Sequence, residues 1–168
     1  MISNLEDLHY DQLRDLHSAE AQLISALPEM IRHSSDRELR EAFTNHLEET
    51  KGHLARLTRI CSDHGIEPSG EECDAMKGLI KEAKKHLEEV EPGVVRDAVL
   101  IASANRVEHY EIAAYGVAKS FATALGYDDA ADLLDMTLGE EAAADELITQ
   151  IATGGIFGTG INEEALQL

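Results

Sequence analysis

The chain reads as an all-α protein, an antiparallel four-helix bundle with a short extra helix in the crossover between two helical hairpins. Three observations predict it. Apolar residues recur at steps of three and four along four long segments, the mark of one buried helical face. The breaks between these segments coincide with Ser, Pro and Gly clusters. The composition is rich in Ala, Leu and Glu, with only three Pro and no Trp in 168 residues.

The first helix spans residues 4–33, with Ser3 or Asn4 as its cap. Pro28 lies inside it and predicts a kink or register adjustment near the C-terminal end. Ser34-Ser35-Asp36 ends that segment and caps the next, residues 37–64, which stops at Gly65. A turn this short makes the two helices antiparallel neighbours. Ile66-Glu67-Pro68-Ser69-Gly70 then leads into a shorter helix at 72–90, with an apolar stripe of Met76, Leu79, Ile80, Ala83 and Leu87. Glu91-Pro92-Gly93 breaks it. The third long helix covers 95–125, closed by Gly126, and the fourth 128–153. Residues 1–153 therefore form the bundle, and 154–168 a glycine-rich C-terminal tail, flexible or docked, in which regular structure ends. That tail is no phosphate loop, because such a loop needs a preceding strand and a following helix.

The formal net charge of −19 opposes binding to phosphate backbones, so nucleic-acid partners are excluded. No run of ~20 apolar residues exists to cross a membrane. Met1-Ile2-Ser3-Asn4-Leu5-Glu6 lacks the basic-then-apolar pattern of a signal peptide, and a cytoplasmic location is expected. Cys61 and Cys73 are the only cysteines. They lie either side of the Gly65–Gly70 turn, where a disulfide is conceivable, but without a C-x-x-C spacing they read as reduced, partly buried structural thiols.

The function-bearing feature is a set of acids on the apolar stripes. They run Leu13, Leu16, Glu20, Leu23, Leu27; then Leu39, His46, Glu49, His53, Leu57. The other two are Ile101, Ala104, Glu108, Glu111, Tyr115 and Leu134, Leu138, Glu141, Asp145, Ile148. Desolvating one carboxylate costs several kcal/mol, against a domain stability of about 5–15 kcal/mol. Six such groups are not buried bare. Divalent metal is the economical counter-charge. The halves also repeat weakly: Glu20 matches Glu108, and Glu48-Glu49 matches Glu140-Glu141, with His53 over Asp145.

Di-iron and di-manganese carboxylate bundles take one Glu from each of two helices and a Glu-x-x-His pair from each of the others. This chain departs from that spacing, with Glu49-x-x-x-His53 and Glu141-x-x-x-Asp145. The expected ligands are Glu20, Glu49, His53, Glu108, Glu111, Glu141 and Asp145, holding two metal ions per chain. Iron is the first choice, with manganese or zinc as alternatives. The six acids carry −6 against +4 for two divalent ions, which assigns Glu111 and Asp145 weaker roles. His46 competes with His53 as the imidazole ligand. Glu48 and Glu140 sit one position off the stripes and read as solvated. Tyr115 reads as a core tyrosine or a hydrogen-bond donor to a ligand carboxylate. His9, His17, His33, His64 and His86 read as surface residues.

The runs Leu13-Arg14-Asp15-Leu16-His17-Ser18-Ala19-Glu20, His46-Leu47-Glu48-Glu49-Thr50, Val107-Glu108-His109-Tyr110-Glu111-Ile112-Ala113 and Thr137-Leu138-Gly139-Glu140-Glu141 resemble the YciF/YciE-like family of ferritin-like bacterial proteins. So does the Cys73-x-x-Met76-x-Gly78-Leu79 segment. The resemblance implies a ferritin-like bundle, a homodimer, a dimetal centre and an association with bacterial stress. The crossover stripe, read as more than one small bundle covers, points to a dimer too. Two functions follow as expectations. The first is oxidative chemistry at the metals, with Fe(II) oxidised or peroxide removed and O₂ or hydrogen peroxide as oxidant. The second is a non-catalytic helical dimer in which metal is structural or absent.

Overall fold

The computed structural model describes residues 2–156 and 158–167; Met1, and Phe157 and Leu168 of the expected tail, lie outside it. The described residues form six helices in order: α1 Leu5–His33, α2 Arg37–Asp63, α3 Asp74–Glu88, α4 Val94–Leu125, α5 Asp128–Thr153 and α6 Ile161–Ala165. The caps are those the sequence offers. Asn4 Oδ1 accepts from Asp7 N at 2.8 Å, and Asp36 Oδ1 from Leu39 N at 2.8 Å. Gly126 and Gly154 close α4 and α5 in the left-handed conformation, at φ 75° and 76°. α1 runs on as one helix through Pro28.

The long helices pack as α1 on α2, α2 on α5, α5 on α4 and α4 on α1. Asp97, at the start of α4, accepts from Ser35 N at 2.7 Å and Asp36 N at 2.9 Å in the α1–α2 turn. That pins the beginning of α4 to the end of α1, so neighbouring helices run antiparallel. α3 crosses outside, against α4 and α1. Met76 is fully buried, and Leu79, Ile80 and Leu87 pack on the core. The stripe expected to need a second chain packs in part on the bundle's own α1 and α4, with Leu79, Ile80, Ala83 and Leu87 left half-buried.

Two apolar layers fill the interior. Leu23, Leu27, Met30, Leu39, Phe43 and Leu100 belong to one; Leu13, Leu16, Leu57, Ile60 and Leu134 belong to the other. Both cysteines are free and buried. Cys73 Sγ lies 2.9 Å from the Tyr110 hydroxyl, which donates to Asp15 Oδ2 at 2.7 Å.

Regular structure does not end at the glycine run. α6 folds back against α4 and α5 and buries Ile161. The glycines make that reversal close-packed: a Cβ on Gly160 would lie 2.3 Å from the Ala152 carbonyl oxygen, and one on Gly154 2.2 Å from that of Gly158.

His9 also departs from expectation. It is fully buried, its ring centroid 6.0 Å from those of Tyr10 and Tyr127 and 6.5 Å from that of His64. Neither ring nitrogen has a hydrogen-bond partner. Burial, and then the neighbouring His64, pushes its pKa down to about 4 from 6.5. The folded state therefore keeps His9 neutral where the unfolded chain binds a proton. Its contribution is fully present above pH 6.5 and is lost as pH falls toward 4, by about 3 kcal/mol in all. His9→Phe should flatten the pH dependence of the urea midpoint across that window. An unchanged slope would contradict the assignment.

Candidate metal centre

Between the two apolar layers lies one polar layer. Glu20 comes from α1 between Leu16 and Leu23, and His46 and His53 from α2 between Phe43 and Leu57. α4 supplies Glu108 and Glu111, and α5 supplies Glu141. All six are buried, none more than 4% exposed. The phase of α2 follows a seven-residue repeat, Leu39, Phe43, His46, Thr50, His53, Leu57, Ile60, all buried. Two turns of helix separate the imidazoles and bring both onto the inner face.

Two sets of ligand atoms lie within 4.8 Å of one another: Glu20, His53 and Glu141, and His46, Glu108, Glu111 and Glu141. These groups could hold a metal ion. Glu141 belongs to both sets. His53 Nδ1 is 2.8 Å from Glu141 Oε1 and 3.5 Å from Glu20 Oε1. His46 Nε2 is 3.3 Å from Glu108 Oε1 and 3.9 Å from Glu141 Oε2. Tyr115 is a fully buried core residue whose hydroxyl donates to Glu20 Oε1.

The fit to a cation rests on orphaned atoms. Glu20 Oε2, Glu108 Oε2, both oxygens of Glu111, Glu141 Oε2 and both nitrogens of His46 are buried without a hydrogen-bond partner, while His53 Nδ1 and Glu141 Oε1 face only each other and Glu20. Buried polar atoms are normally satisfied, and so many on one layer form a donor set for a hard or borderline divalent ion.

Electrostatics agree. Burial pushes Glu108 and Glu111 well above the usual carboxylate range, helped by neighbouring carboxylates. Burial also raises Glu20. For Glu141 burial acts upward, but hydrogen bonding and charge from His53, then the charge of His46, hold it below its ordinary value. His53 is pulled down by burial and pushed further up by Glu141 and Glu20, ending at about 10. Burial thus favours the protonated form of Glu108 and Glu111, and the two facing carboxylates favour the protonated form of His53.

Two expected ligands lie elsewhere. The Glu49 side chain is 48% exposed, its Oε2 3.6 Å from His46 Nδ1 on the outer side of that ring. Asp145 is 21% exposed and turned to α4, accepting from Asn105 Nδ2 at 2.7 Å, with His109 Nε2 at 3.4 Å. One partner was missed. Glu140, read as solvated, accepts from Arg56 Nη2 at 2.9 Å and pairs with His53 Nε2 at 3.0 Å. Arg56 Nη1 also donates to Thr137 Oγ1 at 3.1 Å. The sequence signal was Arg56 one turn after His53, beside an acid adjacent to Glu141.

A ferritin-like helical bundle around a buried carboxylate–imidazole layer is the class this geometry defines. Within it, the chain belongs to the family described as a domain of unknown function, DUF892, whose profile matches residues 4–165. It is 43% identical over 156 residues to Protein YciF of Escherichia coli (strain K12), covering 92% of this chain and 94% of that protein. The crystal structure of the E. coli stress protein YciF matches with a TM-score of 0.88 at 42% identity, over 92% of this chain and 98% of that one. YcfI from Rhodopseudomonas palustris matches at 0.87 and 42% identity, over 90% and 96%. The resemblance read from the four helix runs is thereby borne out. No helix among the described residues is long and apolar enough to cross a membrane.

Proposed function

We propose that this chain is a cytoplasmic, ferritin-like stress-response protein that holds two divalent ions, iron first, with manganese or zinc as alternatives. With iron or manganese bound it would oxidise Fe(II) or remove hydrogen peroxide; zinc, which has no redox chemistry, would make the site structural. The observation that carries it is the composition of the buried layer. Glu20, Glu108, Glu111 and Glu141 bring −4 and His46 and His53 are neutral ligands, against +4 for two divalent ions. With Glu49 and Asp145 outside the layer, the −6 of the sequence reading falls to the balance of four-Glu, two-His dimetal bundles. The naming of the E. coli relative as a stress protein supports the biological setting.

Redox-active ions held by these residues would supply electrons to O₂ or peroxide. The chain's own residues do the rest. Glu141 is the carboxylate common to both sets. Glu140, held by Arg56, keeps the His53 proton on Nε2, so that Nδ1 faces Glu141 and Glu20. Tyr115 occupies Oε1 of Glu20 and leaves Oε2 free. The apolar layers on either side exclude water and strengthen these interactions.

Anaerobic loading followed by elemental analysis should find two ions per chain. Stopped-flow oxidation should then run faster than for free Fe(II) at matched concentration. An unchanged or slower rate with metal bound would favour the structural role instead. Loading should also release protons, because a cation competes with the raised proton affinity of His53, Glu108 and Glu111. Apparent affinity must then climb with pH. Calorimetry in buffers of different ionisation enthalpy measures the count, and zero release would refute the proton-for-metal exchange. The homodimer belongs to this proposal through the family resemblance and the half-buried crossover stripe. Light scattering should give about twice the 18.4 kDa chain mass, and a monomer would remove it.

A further inference from the structure

A layer this deeply buried needs a route in, and one groove reaches it. Between α2 and α5 lies a cavity of about 330 Å³, lined among others by Asn45, His46, Glu49, Gly139, Glu140 and Ala143. His46 is its floor and also a member of the inner cluster. The ring is 4% exposed, its Nε2 lies against Glu108, and its Nδ1, without a hydrogen bond, has the Glu49 carboxylate 3.6 Å away. Other grooves, such as those beside His64 and Tyr127 or beside Gln22 and Ser25, are lined by no member of the cluster.

We propose that this groove is the path by which a hydrated divalent cation reaches the buried layer, and that Glu49 is the transfer ligand that hands it to His46. The proposal rests on the metal reading above and adds the route. Glu49 places an unneutralised carboxylate in the groove lining, which attracts cations. Glu140 is already engaged by Arg56 and His53. Glu49 is half-exposed, which lets it exchange water for a ligand and release it again. The opening on the α5 side exists because Gly139, Ala143 and Ala144 are small. A Cβ at Gly139 would meet nothing within 4 Å, so a larger side chain there has open space to enter and narrows the groove.

The test is Co²⁺ uptake by the intact metal-free protein, followed by stopped-flow visible absorption, with equilibrium affinity measured separately. Gly139→Leu should slow uptake several-fold and leave stoichiometry and affinity unchanged. Glu49→Ala should do the same, Glu49→Asp should restore most of the rate, and Glu48→Ala, on the solvent side and paired with Lys51, should load like the unaltered chain. Unchanged uptake in both Gly139→Leu and Glu49→Ala would overturn the route while leaving the metal site intact. A large loss of equilibrium affinity in Glu49→Ala would overturn the transfer role, making Glu49 a resident ligand. Absence of Co²⁺ binding by the unaltered chain would overturn the metal reading itself and this route with it.

Discussion

Glu141→Gln is expected to abolish metal binding, with a loss larger than the 10–100-fold typical when an outer partner of a ligand is removed. Glu141 is fully buried and within reach of both imidazoles, 2.8 Å from His53 and 3.9 Å from His46. It is the shared member of the two ligand sets. It is also the acid that stays ionised among raised neighbours, because His53 outweighs the burial penalty. One substitution therefore removes a ligand common to both positions and the standing negative charge that draws the cation in. Glutamine keeps the volume, which separates this effect from a packing defect. Breaking a buried pair also costs about 3–5 kcal/mol, so circular dichroism must show the variant folded before its affinity is read. Glu140→Gln is the graded control, since it acts only through the orientation of His53. Competition with a chelating indicator measures both. Retained affinity in Glu141→Gln would refute the shared-carboxylate geometry.

Much of this was legible because helices announce themselves through caps and period. Asn4, Asp36, Gly126 and the Pro/Gly breaks bound the elements to within about two residues. Glu20, Glu108 and Glu141 were legible because each lies between apolar residues in both directions along its helix. Glu49 misled for a geometric reason. From His46 to His53 both 49 and 50 complete steps of three and four, and at about 100° per residue they lie on opposite sides of the stripe's centre. The longer repeat through Leu39, Phe43, Leu57 and Ile60 turns Thr50 inward and Glu49 toward the groove. Thr50 makes no claim on metal because its hydroxyl bonds the His46 carbonyl at 2.7 Å. The Glu140–His53 pair depends on the register of α5 against α2, which no single-helix pattern encodes. The docking of α6 depends on close approach of glycine backbones, and a glycine run alone looks the same whether slack or close-packed.

The second large effect concerns stability and runs opposite to function. Glu111→Met should raise the melting temperature of the metal-free protein by roughly 3–10 °C. Glu111 is fully buried, and neither carboxyl oxygen has a partner. Burial first, then Glu20, Glu141 and Glu108, push its pKa well above the ordinary value. A buried, unpartnered polar group costs about 1–3 kcal/mol, and methionine fills a similar volume without a polar end. The sign with pH follows. A carboxyl whose folded pKa is raised destabilises the fold increasingly as pH climbs above its unfolded value of 4.5. The advantage of the variant should therefore be larger at pH 8 than at pH 4. With metal added the order should reverse, since the unaltered chain gains stability by binding and the variant has lost a ligand. Calorimetric melting of both proteins, with and without Co²⁺ at each pH, reads all of these signs. A lower melting temperature for metal-free Glu111→Met would mean that the carboxyl supports the fold by itself, and the inward acids would lose their explanation as ligands kept at the expense of stability.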